Sequence, residues 1–405
     1  MPLTTTTCPP APAWRRVCVA LAATAVLIAG PAPAASAAPP PSPTATPTAQ
    51  ANEGAAVTLP TMRAWTWIVA DADSGEVLTG RDWHWKLPPA STMKTLTALT
   101  LVDRLQFDSQ YRAQKQDVEA EGSKVGLKAG SAYAVSDLFN GMLMPSGNDA
   151  ATAVANAYGG MEATTEAMNR EAQRLGAIDT KVVNSSGLDE PGQVSTAYDL
   201  ALIMRESLKD PKLQEIYKQH HVDFPDKEPT EPGAERKSYR IWTENRFILN
   251  YYEGALGGKT GFTSQAGRTF VGAMERDGRT LIVAIMRSAE STERAVNRLF
   301  EWGFANADKV TPVDQLVDPQ PAEEVEALPA VNYDENGTPT GPQVAAGESL
   351  GSGPSGPVVL LILVGVAGLG VLIWRRRREV AEATRERANR QQNLDLRERD
   401  ESRRP

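Results

Sequence analysis

PPASTMKTLTAL, residues 88–99, ends one element and begins another. Pro88 and Pro89 stop an extended segment, because proline fixes φ and lacks the N–H that a ladder needs. From Ser91 the apolar positions Leu96, Leu99, Val102 and Leu105 recur at three- and four-residue steps, which predicts a buried helix starting there. Upstream, the β-branched and aromatic run 64–69, turn chemistry at 71–75 and the extended Glu76-Val77-Leu78 predict a hairpin. Downstream, residues 134–205 read as helical, most clearly at 149–155 and 161–175. Beyond residue 257 the pattern turns to strands at 268–274 and 281–286 around an Asp277-Gly278 turn, then to a helix over 291–302 capped by Gly303. Strands at both ends with helices between them predict an α/β (α+β) domain, one mostly antiparallel sheet with a helical half beside it.

The rest of the chain gives the domain its address. Arg15 and Arg16 precede a 14-residue apolar run at 17–30, and Ala35-Ser36-Ala37 offers a small-residue cleavage site, so residues 1–37 read as a secretory signal peptide. Residues 358–374 are 17 uncharged, mostly apolar residues followed by four arginines, Arg375 to Arg378. That pattern predicts a transmembrane helix whose C-terminal side stays cytoplasmic. Residues 375–405 would be an Arg-rich cytoplasmic tail, 38–55 a Pro/Thr-rich linker, and 307–357 a disordered acidic, Pro- and Gly-containing linker. A 251-residue domain, 56–306, remains, and it is expected outside the cell on a single-pass anchor in the cell membrane. The balance of 42 Lys+Arg against 50 Asp+Glu, net −8, argues against binding to nucleic acid. Cys8 and Cys18 both leave with the signal peptide, which excludes structural disulfides, cysteine metal sites and a thiol nucleophile in the mature chain.

Three short patterns stand in order: Ser91-Thr92-Met93-Lys94, Ser146-Gly147-Asn148 and Lys259-Thr260-Gly261. Singly each is weak; together they form a constellation. Ser91 falls at a helix start, near the positive end of the helix dipole, and Lys94 three residues on shares its face, so the two can touch. A neutral Lys94 amine can accept the Ser91 proton, but only if its pKa is pulled down, and a second cation, Lys259, is the candidate for that. Lys259 can also attract a substrate carboxylate. Ser146 can pass a proton on, and Asn148 can hold a substrate amide. Gly261 lets a ligand backbone lie close to an edge strand. The Phe262 N–H, with that of Ser91, can form an oxyanion hole.

The ordered triplets are those of penicillin-binding proteins and class A β-lactamases. The longer strings PPASTMKTLTAL (88–99), LMPSGNDAA (143–151), NSSGLDE (184–190) and GGKTGFTSQAG (257–267) resemble the serine-type D-Ala-D-Ala carboxypeptidases, low-molecular-weight penicillin-binding proteins, over about residues 56–306. The resemblance implies a β-lactamase/transpeptidase-like fold, an acyl-enzyme on Ser91, Lys94 as proton acceptor, Ser146 in the proton relay, and Lys259 with Thr260 on the terminal carboxylate. It implies that the partners are peptidoglycan stem peptides, trimmed of their terminal D-Ala in cell-wall synthesis, and β-lactams as covalent inhibitors, with no cofactor or metal. An arginine late in such domains often helps to hold the carboxylate, and Arg294 is the choice here.

Two departures qualify the resemblance. The chain passes from the catalytic domain straight into an acidic linker, so no second β-domain is expected. The E-x-x-L-N segment of class A β-lactamases is missing, because Arg246 stands four residues before the Asn of Leu249-Asn250; fast penicillin hydrolysis is disfavoured. His84, His220 and His221 form no metal motif, and the last two fall in a polar insertion, 219–243, read as a loop near the site. Trp65, Trp67, Trp83 and Trp85 are read as sheet packing. The alternatives that stay open are a D,D-endopeptidase or transpeptidase on the same site, and a slow-turnover sensor of peptidoglycan or β-lactams.

Overall fold

The structure, a computed structural model, describes residues 50–51, 57–231, 233–322, 327–334 and 339–340. The expected signal peptide, membrane span and tail lie outside these residues, and among the described residues no helix is long and apolar enough to cross a membrane. In chain order the main strands are β1 (Ala64–Asp71), β2 (Glu76–Arg81), β3 (His221–Pro225), β4 (Ser238–Trp242), β5 (Ala255–Thr263), β6 (Gly267–Arg276), β7 (Arg279–Ser288) and β8 (Asp314–Gln315). The main helices are α1 (Lys94–Leu101), α2 (Val135–Leu143), α3 (Asn148–Tyr158), α4 (Met161–Arg174), α5 (Ala197–Ser207), α6 (Pro211–Lys218) and α7 (Thr292–Asn306).

The hairpin β1–β2 forms as expected and joins β5, β6 and β7 in one antiparallel sheet of order β8-β2-β1-β7-β6-β5. Both faces of this sheet are covered, which is why LIVAIM at 281–286 is continuously apolar instead of alternating. Ile282, Ala284 and Met286 face the helical half, whereas Leu281, Val283 and Ile285 face α7. Trp67 and Val69 of β1 also lie on the α7 side, so the buried member of the tryptophan series is a packing residue, as expected. Trp65 packs against Trp85 with the rings tilted by 32° and 5.6 Å between centroids, and the Arg287 guanidinium lies 3.8 Å over the Trp65 ring.

Helix α1 is buried almost all round although it is rich in threonine. The Thr95 and Thr100 hydroxyls donate to the carbonyls of Thr92 and Leu96, and Thr97 donates to the Ser185 carbonyl, each at 2.7 Å. Small, back-bonded side chains let this helix run through the core without orphaned polar groups.

Several expectations are corrected. The α-helix begins at Lys94, and Ser91 sits one step earlier in a 3-10 turn, Ala90–Met93. The reading of 134–205 as helical breaks at 175–196, an irregular loop bridged to the rest at Lys181–Val194 and Leu87–Ser195. Helix α7 runs through Gly303 and is not capped there, because a β-carbon at 303 would press on Leu281 and Val69 and the helix needs that closeness to seat on the sheet. The polar insertion 219–243 is not a loop but the hairpin β3–β4, anchored by buried Phe224 and Ile241.

The largest correction concerns the expected linkers. Residues 50–51, assigned to the N-terminal one, pair with Val310–Thr311. In the C-terminal one, assigned to 307–357 and expected to be disordered, β8 pairs with β2 and buries Leu316. The chain then crosses the helical half. The Gln320 N–H donates to the Arg174 carbonyl and the Arg174 guanidinium donates back to the Gln320 carbonyl, Leu328 pairs with Leu105, and Ala330 and Val331 are buried. Composition hid this strap because its surface is acidic while its few apolar residues each find a slot.

Candidate active site

Lys94 is fully buried at the start of α1, and three acceptors surround its Nζ: Ser91 Oγ at 2.9 Å, Asn148 Oδ1 at 2.7 Å and the Ser186 carbonyl at 3.0 Å. A neutral amine has two N–H donors and one lone pair. Asn148 Oδ1 and the Ser186 carbonyl can only accept, so they take both donors, and the lone pair is left facing the Ser91 hydroxyl. The amine is suited to this state, since burial, and next the charge of Lys259, push its pKa well below the ordinary lysine value, against the pull of Glu244 and Asp149.

Asn148 is held for this task. Its Nδ2 donates to the Glu121 carbonyl at 2.6 Å, and the neighbouring Asp149 accepts from the backbone N–H groups of Val125, Gly126 and Leu127. The side chain expected to hold a substrate amide thus holds Lys94 first. Ser146 lines the cleft with Ser91, held at φ 64°, but it is not among the three partners of Lys94.

The strand β5 is the sheet edge and forms the opposite wall. Gly261 lies so close to the Ser91 turn that a β-carbon there would stand 2.8 Å from the Ser91 nitrogen. Lys259 sits beneath this wall, 1% exposed, donating to the Thr260 carbonyl at 2.9 Å. Burial lowers its pKa to about 8, and Glu244, 3.9 Å from Nζ, opposes the shift. Thr260, Gly261, Phe262 and Arg294 reach the cleft surface, so the structure brings every expected site residue to one place. The cleft encloses about 930 Å³.

Four contributors escaped the sequence reading. Glu244 left no signal. The Ser186 carbonyl and Gly187 lie in NSSGLDE, a string noted for its resemblance but given no role; Asp189 of the same loop accepts from Thr263 Oγ1 at 2.8 Å, tying the loop to the end of β5.

A family model for D-alanyl-D-alanine carboxypeptidases, peptidase family S11, matches residues 53–290. The chain belongs to this family. Among its D-alanyl-D-alanine carboxypeptidase relatives, DacB2 of Mycobacterium tuberculosis is 40% identical over 257 residues, which is 62% of this chain and 85% of that one. DacD of Escherichia coli is 31% identical over 266 residues, 61% of this chain and 64% of that one. In fold, the chain is similar to a crystal structure of a D-alanyl-D-alanine carboxypeptidase from M. tuberculosis, with TM-score 0.58, 38% identity and coverage of 67% of this chain and 99% of that one. It is also similar to the Streptomyces K15 DD-transpeptidase, with TM-score 0.58, 26% identity and coverage of 62% and 100%. As a D-alanyl-D-alanine carboxypeptidase family member with this site, the protein is a serine-type carboxypeptidase with the mixed helix and antiparallel-sheet fold of penicillin-binding proteins.

Proposed function

We propose that the protein is an exported, membrane-anchored carboxypeptidase that removes the terminal D-Ala of peptidoglycan stem peptides through an acyl-enzyme on Ser91. The observation that carries this reading is the Lys94 amine with both donors engaged and Ser91 Oγ at 2.9 Å. Ser91 Oγ attacks the scissile carbonyl as its proton passes to Lys94. The negative oxygen is received by the N–H groups of Ser91 and Phe262. The C–N bond breaks, the leaving D-Ala amine takes up a proton from the Lys94–Ser146 side, and water then hydrolyses the Ser91 ester. Thr260 and Arg294, over the positive charge of Lys259, receive the terminal carboxylate.

A β-lactam offers the same carbonyl and carboxylate, so it acylates the same serine. A labelled penicillin should be found on the Ser91 peptide by mass mapping, and the enzyme should release D-Ala from an acyl-D-Ala-D-Ala peptide. Labelling of Ser91→Ala at the wild-type rate would remove the nucleophile from this reading. The single-pass topology, with the C-terminus cytoplasmic, rests on the sequence of 358–378. A tag at Pro405 should survive protease added to wall-stripped cells, and its loss would overturn the orientation. The similarity to a DD-transpeptidase favours a second reading, transfer of the acyl group to an amine acceptor. Transfer product formed in preference to free acid, with a D-amino acid present, would select it.

A further inference from the structure

Four arginines, Arg63, Arg246, Arg268 and Arg294, line the catalytic cleft, and among the described residues none of them forms an ion pair within 4 Å. The three glutamates there are otherwise engaged. Glu290 is bound by Arg298 at 2.6 Å, Glu293 accepts from Asn250 and Tyr252, and Glu244 lies against Lys259 and Thr260. Glu290 is matched by Arg298 and Glu244 by Lys259, so the four arginines face one further carboxylate, Glu293, and the cleft lining of this acidic chain, net −8, keeps an excess of positive charge.

The direction of the substrate along β5 separates these arginines, on the carboxypeptidase reading above. With the terminal carboxylate at Thr260 and the scissile carbonyl at the Phe262 N–H, the residues before the scissile bond continue past Phe262 toward Thr263. Arg268 stands directly across from Phe262 in the β5–β6 register, and its guanidinium lies 5.8 Å from the Phe262 ring centre. Phe262 is 66% exposed, an apolar plate on the cleft wall. A guanidinium beside such a plate binds a side chain with an aliphatic stem and an anionic end.

We propose that Phe262 and Arg268 form a subsite for a carboxylate-bearing side chain on the acyl donor, at the residue that precedes D-Ala-D-Ala. The preference is electrostatic and exposed to solvent, so it is modest and falls with salt.

The test compares two N-acetylated tripeptides, Glu-D-Ala-D-Ala and Gln-D-Ala-D-Ala, by D-Ala release. The full-length enzyme should favour the Glu peptide in kcat/KM by about threefold to fivefold at low salt. Arg268→Gln should bring the ratio to about one, Arg268→Glu should invert it, and Arg268→Lys should restore part of it. A wild-type ratio of one, or a ratio that survives Arg268→Gln, overturns the subsite while leaving the carboxypeptidase reading intact. Release from neither peptide would sink that reading, and the subsite with it.

Discussion

Gly187 lies against Ala90 so closely that a β-carbon at 187 would overlap the Ala90 carbonyl oxygen. Both residues hold positive φ, +86° for Gly187 and +51° for Ala90, on either side of the Lys94 pocket. Ala90 carries Ser91 and Gly187 follows Ser186, so this contact sets the spacing between nucleophile and lysine acceptor. Gly187→Ala should therefore lower penicillin acylation on the order of 100-fold, as a displacement of the reacting groups by about 1 Å does. Stopped-flow acylation with a melting curve checks this, and a near-native rate would show that the contact is not a spacer.

The two lysines should shape opposite limbs of the pH profile. Lys94 must be neutral to act, so acylation rises with pH through its lowered pKa. Lys259 must be charged to draw a carboxylate, so kcat/KM falls as pH rises through about 8. Lys259→Arg should remove the alkaline limb, because a guanidinium stays charged. Lys259→Ala should move the acid limb to higher pH, since the charge of Lys259 is the second cause of the Lys94 shift. Lys94→Arg should abolish acylation. Rate profiles from pH 5 to 10 decide between these and any scheme in which the two lysines are interchangeable.

Asp199, at the start of α5, is buried with no cationic partner among the described residues, held by groups such as Thr180 Oγ1 at 2.7 Å and the backbone of Asp179, and burial raises its pKa to about 6. The folded state then binds this proton more readily than the unfolded chain, so the group favours folding most at low pH and loses that contribution as pH rises through about 6. Asp199→Asn should raise stability by at most roughly 3 kcal/mol at pH 7.5 and by little at pH 4. Denaturant melts at the two pH values measure the difference, and an equal gain at both would refute the charge argument.

The strap predicts where a soluble enzyme can be cut. A chain ending at Asn306 loses β8 and the buried Leu316, Ala330 and Val331, each worth about 1–3 kcal/mol of burial. It should melt several degrees below a chain ending at Thr340. Equal melting temperatures would mean that the strap contributes nothing to the domain.

The sheet and central helix were legible because their signals are local: two prolines before a periodic run, β-branched stretches around Asp-Gly, and catalytic triplets at recognisable spacing. The strap was not, because Leu316, Ala330 and Val331 are isolated apolar residues in an acidic sequence whose slots exist only once the domain has folded. The site divides in the same way. Ser91, Lys94 and Lys259 carry their chemistry in their side chains, whereas the Ser186 contribution is a carbonyl, which any residue has, and Glu244 matters through where the fold sets it, 3.9 Å from Lys259 and within reach of Thr260.

Because Pro339 and Thr340 pair with Asn332 and Tyr333, which themselves bond to Gln110 and Asn156 of the domain, the leash on the proposed membrane anchor is much shorter than composition suggests. Counted from residue 307 it would have 51 residues, and counted from residue 341 it has 17 before position 358. At full extension that is a reach of roughly 60 Å instead of roughly 180 Å. On the proposed anchor the catalytic cleft would then work close to the membrane surface, and substrate beyond that radius would lie out of its reach.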